Sequence, residues 1–241
     1  MGSSSGYALR RGVALACAIV ACVLYASTRR SPFYGATLRS PRRRRLSLIL
    51  SADPGDMIGG FSEAAKQCAA EAANVFLTWP DTVASVGETV ADMRRRADAF
   101  GRELTYGLRA HMIVRETEAE ARAAADRLLS KLDTDTGEQI RNKSLDTQSA
   151  GVSRQNELRD GANDDGYAEA NLWTGIGRAR SGAGAAIVGD PDQVVAKLKA
   201  YQEVGVEAFI LSGYTHIAEC DLVAEHVLPN IEHTALRPRW N

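Results

Sequence analysis

Metal and disulfide chemistry are the first things this sequence lacks. Its four cysteines, Cys17, Cys22, Cys68 and Cys220, form no Cys-x-x-Cys pair, and none of its histidines stands at ligand spacing from one of them. Neither a metal centre nor a disulfide framework is indicated, and a reducing compartment fits best. There is no Walker phosphate loop, and Gly175-x-Gly177 lacks the third glycine of a dinucleotide fingerprint. No internal repeat stands out. Negative charge is missing from the head of the chain, where residues 1–45 hold nine arginines and no acidic residue. Residues 46–241 then carry 20 basic against 30 acidic groups, a balance near −10. An acidic body argues against nucleic acid as partner, because phosphate binding relies on clustered Lys and Arg. The basic head reads as a solvated tail, with RNA or anionic lipid as the other surfaces its charge would suit.

A long apolar run is also missing. Residues 12–26 are free of charge, follow Arg10 and Arg11, and resemble a signal-peptide core or a short signal anchor. Fifteen residues at about 1.5 Å each span roughly 22 Å, short of the ~30 Å hydrocarbon layer, which disfavours a membrane span. Arg29, Arg30 and the Arg42 to Arg45 run follow among Ser and Pro, a composition that builds no packed core. Three origins compete for this head: an export signal, a basic organelle-targeting leader, or sequence foreign to the domain that follows.

What is present is an ordinary globular composition, 45% hydrophobic and 24% charged, enough for one large domain or two small ones. From Met57 onward short apolar runs alternate with amphipathic helical segments, the pattern of βα units and a parallel sheet. Met57 to Gly60 ends a strand, Ser62 caps a helix to Ala72, and Asn74 to Trp79 is the next strand. Asp81 or Thr82 starts a helix with Val83, Val86, Val90, Met93, Ala97 and Phe100 on one face, closed by Gly101. Thr117 to Glu120 has the capping-box pattern before a helix with Ala121, Ala125, Leu128 and Leu132 on one face. Residues 133–180 are polar and irregular, the composition of a functional lid or of disorder. Ala185 to Val188 is a short strand, and Asp190-Pro191 opens a helix that Gly205 ends. Val206 to Ser212 is a strand, and a last helix spans about 217–227.

The run Tyr106 to Val114 points furthest toward function. On a strand, Leu108, Ala110, Met112 and Val114 cover one surface while Gly107, Arg109, His111 and Ile113 line the other. A cation and an imidazole then share a wall. An unpartnered buried guanidinium costs several kcal/mol, so something anionic belongs opposite, either a ligand or a carboxylate of the same chain. Ligands of parallel α/β sheets gather at the strands' carboxyl ends. Those ends carry Gly59-Gly60-Phe61-Ser62, Thr78-Trp79 and Ser212-Gly213-Tyr214. The first offers small residues and amide groups at a helix start, where a phosphate can sit, though a plain N-cap explains Ser62 equally well.

Together the segments Ile58 to Ala65, Val75 to Trp79, Tyr106 to Thr117, Asn171 to Gly177, Gly182 to Gly184 with Val188 to Asp190, and Phe209 to His216 resemble the luciferase-like flavin monooxygenases. The likeness is nearest to the reduced-flavin-dependent alkanesulfonate monooxygenases and covers about residues 57–233. It implies an α/β fold, the C-terminal half of a (β/α)8 TIM barrel with a long insertion loop. It also implies reduced FMN as cofactor, O2 as co-substrate, an NAD(P)H-dependent flavin reductase as partner, and an alkanesulfonate cleaved to aldehyde and sulfite. In the resemblance Arg109, His111, Tyr214 and Arg180 are catalytic, with Arg180 on the mobile insertion. Gly59, Gly60, Ser62 and Trp79 are cofactor-binding, and no metal is required.

The family barrel supplies four further strands ahead of Gly59, and residues 1–56 are too short and too unlike them to stand in. This favours a foreign start for 1–56, with 57–235 as a partial barrel carrying its lid insertion at 133–180. An arc of four strands leaves open edges, which favours a homo-oligomer. The alternative function is a non-catalytic half-barrel, a remnant or a subunit that pairs with another chain. The expected location is cytoplasmic, or membrane-anchored or exported if 12–26 is a genuine signal.

Overall fold

Apolar residues at every second position of 106–114 require cover on both faces of one strand, and the rest of the chain supplies it. The computed structural model describes residues 57–133, 135–137, 139, 149–178 and 182–232. The readings made for residues 1–56 and for Arg180 lie outside the described residues. In chain order the elements are β1 (Met57–Gly59), α1 (Glu63–Ala72), β2 (Val75–Thr78), α2 (Val83–Asp98), β3 (Thr105–Val114), α3 (Glu118–Leu129), α4 (Ala150–Asp160), β4 (Tyr167–Glu169), β5 (Leu172–Trp173), β6 (Ala186–Gly189), α5 (Pro191–Glu203), β7 (Ala208–Ser212) and α6 (His216–Leu222). The fold is α/β, a curled half-barrel sheet.

β1, β2, β3 and β7 run parallel as neighbours, the arc expected from the βα rhythm. β3 is central. Its Gly107 and Leu108 face both β2 and β7, and its His111 faces both β6 and β7. β2 and β6 therefore follow one another along one edge of β3, with β7 along the other. The hand-over has a local cause, because Pro80 lacks the N–H that would extend the β2 ladder. β6 takes over at His111 and is continued by β5 and β4 in antiparallel pairing. The insertion thus contains ordered structure in its described part, one helix and two short strands that enlarge the sheet.

The main core lies between the sheet and its helices. Tyr106, Leu108, Ala110, Met112 and Val114 pack there with Val86, Val90 and Met93 of α2 and Val194, Leu198 and Tyr201 of α5. Met93 and Leu108 are fully buried, each contributing roughly 1.5–3 kcal/mol. Two positions expected on apolar faces lie elsewhere. Phe100 falls past the end of α2 and is 46% exposed. Leu128 is exposed, and Leu129, four residues after Ala125, packs in its place. The last helix is α only to Leu222 and continues as a π turn over Val223–Val227.

Caps set the helix starts. Ser62, Thr82 and Thr117 each accept the amide three residues on. The complete reciprocal capping box is at Asp190 and Gln193 of α5. Among the described residues no helix is long and apolar enough to cross a membrane.

α1 and α2 are tied by charge. Asp92 accepts from Lys66 Nζ at 3.2 Å and Arg96 Nε at 3.0 Å. Burial pushes the Asp92 carboxyl up, but these two cations outweigh it and hold it below the usual range. A carboxylate depressed in the folded state stabilises fully above its unfolded value of about 3.9, and that stabilisation is lost as pH falls through the folded value. Asp92→Asn should therefore be less stable than the parent at about pH 6, with the gap closing toward about pH 3. Urea midpoints measured across that range check this; a gap that stays constant contradicts it.

Candidate active site

The face of β3 turned away from α2 and α5 carries Gly107, Arg109, His111 and Ile113, because their alternate neighbours fill the core on the α2 and α5 side, while Ile113 packs against Ala121, Ala124 and Ala125 of α3. Arg109 is half-buried, and His111 is 3% exposed. A Cβ on Gly107 would lie 2.9 Å from Leu77 Cδ1 of β2, so that leucine side chain would have to shift. Across the β3–β7 ladder Arg109 is level with Ile210 and His111 with Ser212. The Ser212 hydroxyl lies 3.0 Å from His111 Nδ1, and both residues are buried. The Tyr214 ring stacks on His111 with centroids 5.3 Å apart, and His216 meets Tyr214 edge-on at 5.8 Å. Arg109, His111 and Tyr214, named from the sequence, thus stand on one wall.

What fixes the Tyr214 turn is a buried carboxylate that the sequence did not single out. Glu219 of α6 is 2% exposed and accepts from the Val114 amide at 3.2 Å and from Arg115 Nη1 at 2.6 Å. It locks the carboxyl end of β3 to the helix that follows Tyr214. Gly213 makes the approach possible, because a Cβ there would lie 2.4 Å from both Cβ and Cγ of Glu219. The sequence signal was that glycine, placed immediately after an apolar strand.

Gly59, Gly60, Ser62 and Trp79 lie at the carboxyl ends of β1 and β2. Strands sit ~4.8 Å apart, so β1 and β3 are separated by roughly 10 Å. Gly60 has φ +154, and a Cβ on it would sit 2.8 Å from Ala65 Cβ, so the backbone presses directly on the start of α1. A Cβ on Gly59 would strike Leu77 O at 2.8 Å. The exposed Ser62 hydroxyl caps α1, leaving its first-turn amides turned outward. Glu63 would oppose an anion there, but Arg96 Nη2 at 2.8 Å and Lys66 Nζ at 3.8 Å neutralise it. This cradle suits a terminal phosphate.

The insertion closes over β2. Gly151 of α4 packs on Trp79, where a Cβ would lie 2.9 Å from Cζ3, and Phe61 lies alongside. Arg154 grips buried Asp81 with two nitrogens and reaches Ser85 Oγ at 3.1 Å. Asp81 keeps the Arg154 guanidinium firmly protonated. Gln155 donates to Pro80 O and accepts from Gly184 N, both at 2.8 Å. Below them Lys197 Nζ meets Glu169 Oε1 at 2.6 Å. Burial lowers the Lys197 ammonium, and Glu169 pushes back. Glu169 also accepts the Val83 amide at the start of α2.

Comparison with known proteins agrees with this architecture. The luciferase-like monooxygenase family model matches residues 21–208, reaching back beyond the described residues. The sulfoquinovose monooxygenase of Novosphingobium aromaticivorans is 58% identical over 204 residues, covering 85% of this chain and 56% of that protein. The enzyme of the same name from Agrobacterium fabrum is 48% identical, covering 78% and 49%. The chain therefore spans about half the length of the curated relatives it matches. Among solved structures, DmoA from Hyphomicrobium sulfonivorans superposes with a TM-score of 0.50 at 19% identity, over 72% of this chain and 40% of that one.

Removing Glu219 strands the Val114 amide and the Arg115 guanidinium together. Glu219→Ala should cost about 2–4 kcal/mol in chemical denaturation. Arg95→Ala, which breaks only an exposed pair with Asp92, should stay within about 0.5 kcal/mol. Equal effects of the two would contradict a structural role for the buried pair.

Proposed function

Because the chain belongs to the luciferase-like monooxygenase family, we propose that it is the carboxyl-terminal half-barrel of a flavin-dependent monooxygenase that desulfonates an organosulfonate, with sulfoquinovose preferred over a simple alkanesulfonate. The observation that carries the reading is the Arg109–His111–Tyr214 wall on the inner face of β3, at the end of the sheet where parallel α/β folds bind ligands. The names of the two sulfoquinovose relatives favour that substrate over the alkanesulfonate implied by the sequence resemblance.

Each residue then has a task. The Gly59 and Gly60 backbone and Ser62 hold the FMN phosphate at the start of α1, and Trp79 flanks the cofactor under α4. Arg109 binds the sulfonate, since its forked donors suit an oxyanion. His111 and Tyr214 hold or move a proton at the reacting oxygen. Arg180 is carried over from the family resemblance as the fourth catalytic residue. Reduced flavin, when bound, supplies two electrons and activates O2, so that the carbon bearing sulfur is oxidised to an aldehyde and sulfur departs as sulfite. An NAD(P)H-dependent flavin reductase delivers the reduced cofactor, and the setting is cytoplasmic.

A second reading has its own observation. Val75, Leu77 and Ile210 on the inner-face side of the sheet are only half-buried, and Met57 on edge strand β1 is 44% exposed. A subunit that pairs with another chain would cover them.

The decisive assay supplies the purified chain with FMN, a reductase, NAD(P)H and air, and measures sulfite from sulfoquinovose and from octanesulfonate. Sulfite from both, faster with sulfoquinovose, is expected. Folded chain that binds no reduced FMN overturns the enzymatic reading and leaves the pairing one, for which light scattering should then show a dimer or larger assembly.

A further inference from the structure

Ser212 stands out as the one polar side chain of β7. It ends a strand whose other residues are Ala208, Phe209, Ile210 and Leu211, and it is 5% exposed. A buried hydroxyl costs free energy unless it is paired, and an alanine would fill this small site without that cost. Its hydroxyl is paired with His111 Nδ1 at 3.0 Å. The pairing is built by register, since His111 and Ser212 are opposite partners on the β3–β7 ladder and share its inner face.

Covalent geometry makes this a directional restraint. Nδ1 sits beside the ring's attachment to Cβ, whereas Nε2 is among the ring atoms furthest from the backbone. A partner on the neighbouring strand that takes Nδ1 therefore leaves Nε2 at the end of the ring away from the β3 backbone. Tyr214, stacked on the ring face, restrains the remaining rotation. A hydroxyl also differs from the backbone carbonyl or carboxylate that usually holds a functional imidazole, because it can donate as well as accept. It can donate to a bare Nδ1, and by rotating its O–H it can accept from Nδ1–H.

We propose that Ser212 is a positioning residue: it holds His111 by Nδ1, directs Nε2 to the ligand, and keeps its grip in every protonation state of the ring. The inference rests on the functional reading above only for the identity of the ligand. In the reaction, imidazolium Nε2–H passes its proton to an oxygen of the bound ligand. The ring is left neutral with Nδ1–H on Ser212 Oγ, and water later returns the proton to Nε2. No reorientation of the ring is needed at any stage.

The test reads the imidazole itself, without cofactor. Nitrogen-15 NMR of the full chain, with His111 assigned by the loss of its signals in His111→Asn, should show a hydrogen-bonded Nδ1, unlike half-exposed His226. Tyr214, stacked on the His111 ring, and His216, edge-on to Tyr214, stay constant across the Ser212 variants. In Ser212→Ala, Nδ1 loses its partner in both states of the ring, so the hydrogen-bonded Nδ1 signal should disappear. Ser212→Thr keeps a hydroxyl and should restore it. With reductase and sulfonate present, Ser212→Ala should lower kcat about tenfold or more while KM moves less than about threefold. An unchanged Nδ1 signal in Ser212→Ala overturns the proposal. If that variant does not fold, a parent spectrum with freely exchanging tautomers overturns it equally. Shifted signals in a chain that never releases sulfite would leave Ser212 in its role and remove the functional reading instead.

Discussion

Everything in this half-barrel depends on β3 being buried on both faces while keeping charge on only one. The helix-side face is uniformly apolar and supplies the cohesion, through Leu108, Ala110, Met112 and Val114 against α2 and α5. The opposite face holds Arg109 and His111, which a strand selected for stability alone would not carry. β2, β6 and β7 all pair with this strand, so its side chains are held by the largest share of the sheet. Functional groups on such a strand inherit its rigidity, which a loop could not provide.

The carboxyl end of the sheet is held from several directions. Pro80 vacates the edge of β3 and β6 occupies it, so the insertion is anchored in the sheet. α4 is latched by Arg154 on Asp81 and by Gln155 between Pro80 and Gly184. Glu219 ties β3 to α6, and Gly213 admits it. The glycine turn at the end of β1 and the Arg109–His111 wall at β3 consequently form two fixed points roughly 10 Å apart. Catalysis through a mobile cofactor requires this kind of fixed geometry from the protein.

Much of this was legible in the chain because local rules decide it. Strict alternation placed Arg109 and His111 on one wall, and the caps at Ser62, Thr82 and Asp190 marked their helices. The ordered motifs carried the family and the half-barrel. Four features were not legible. β4 and β5 are three and two residues long, too short for any period, and their pairing is set by the distant β6. The role of Ser212 depends on a register with a residue 101 positions away. Leu128 and Leu129 both satisfy helical spacing from Ala125, and only packing against the strand face chose the second. The buried carboxylate Glu219 looked like any charge on a surface helix.

The central claim is that the inner face of β3 receives an oxyanion. Anaerobic calorimetry of sulfoquinovose added to the chain loaded with reduced FMN tests it most directly, comparing the parent with Arg109→Met. Loss of charge-assisted hydrogen bonds should weaken sulfonate binding about tenfold or more, with affinity for reduced FMN unchanged within about threefold. Equal sulfonate affinity in the two proteins would contradict the account.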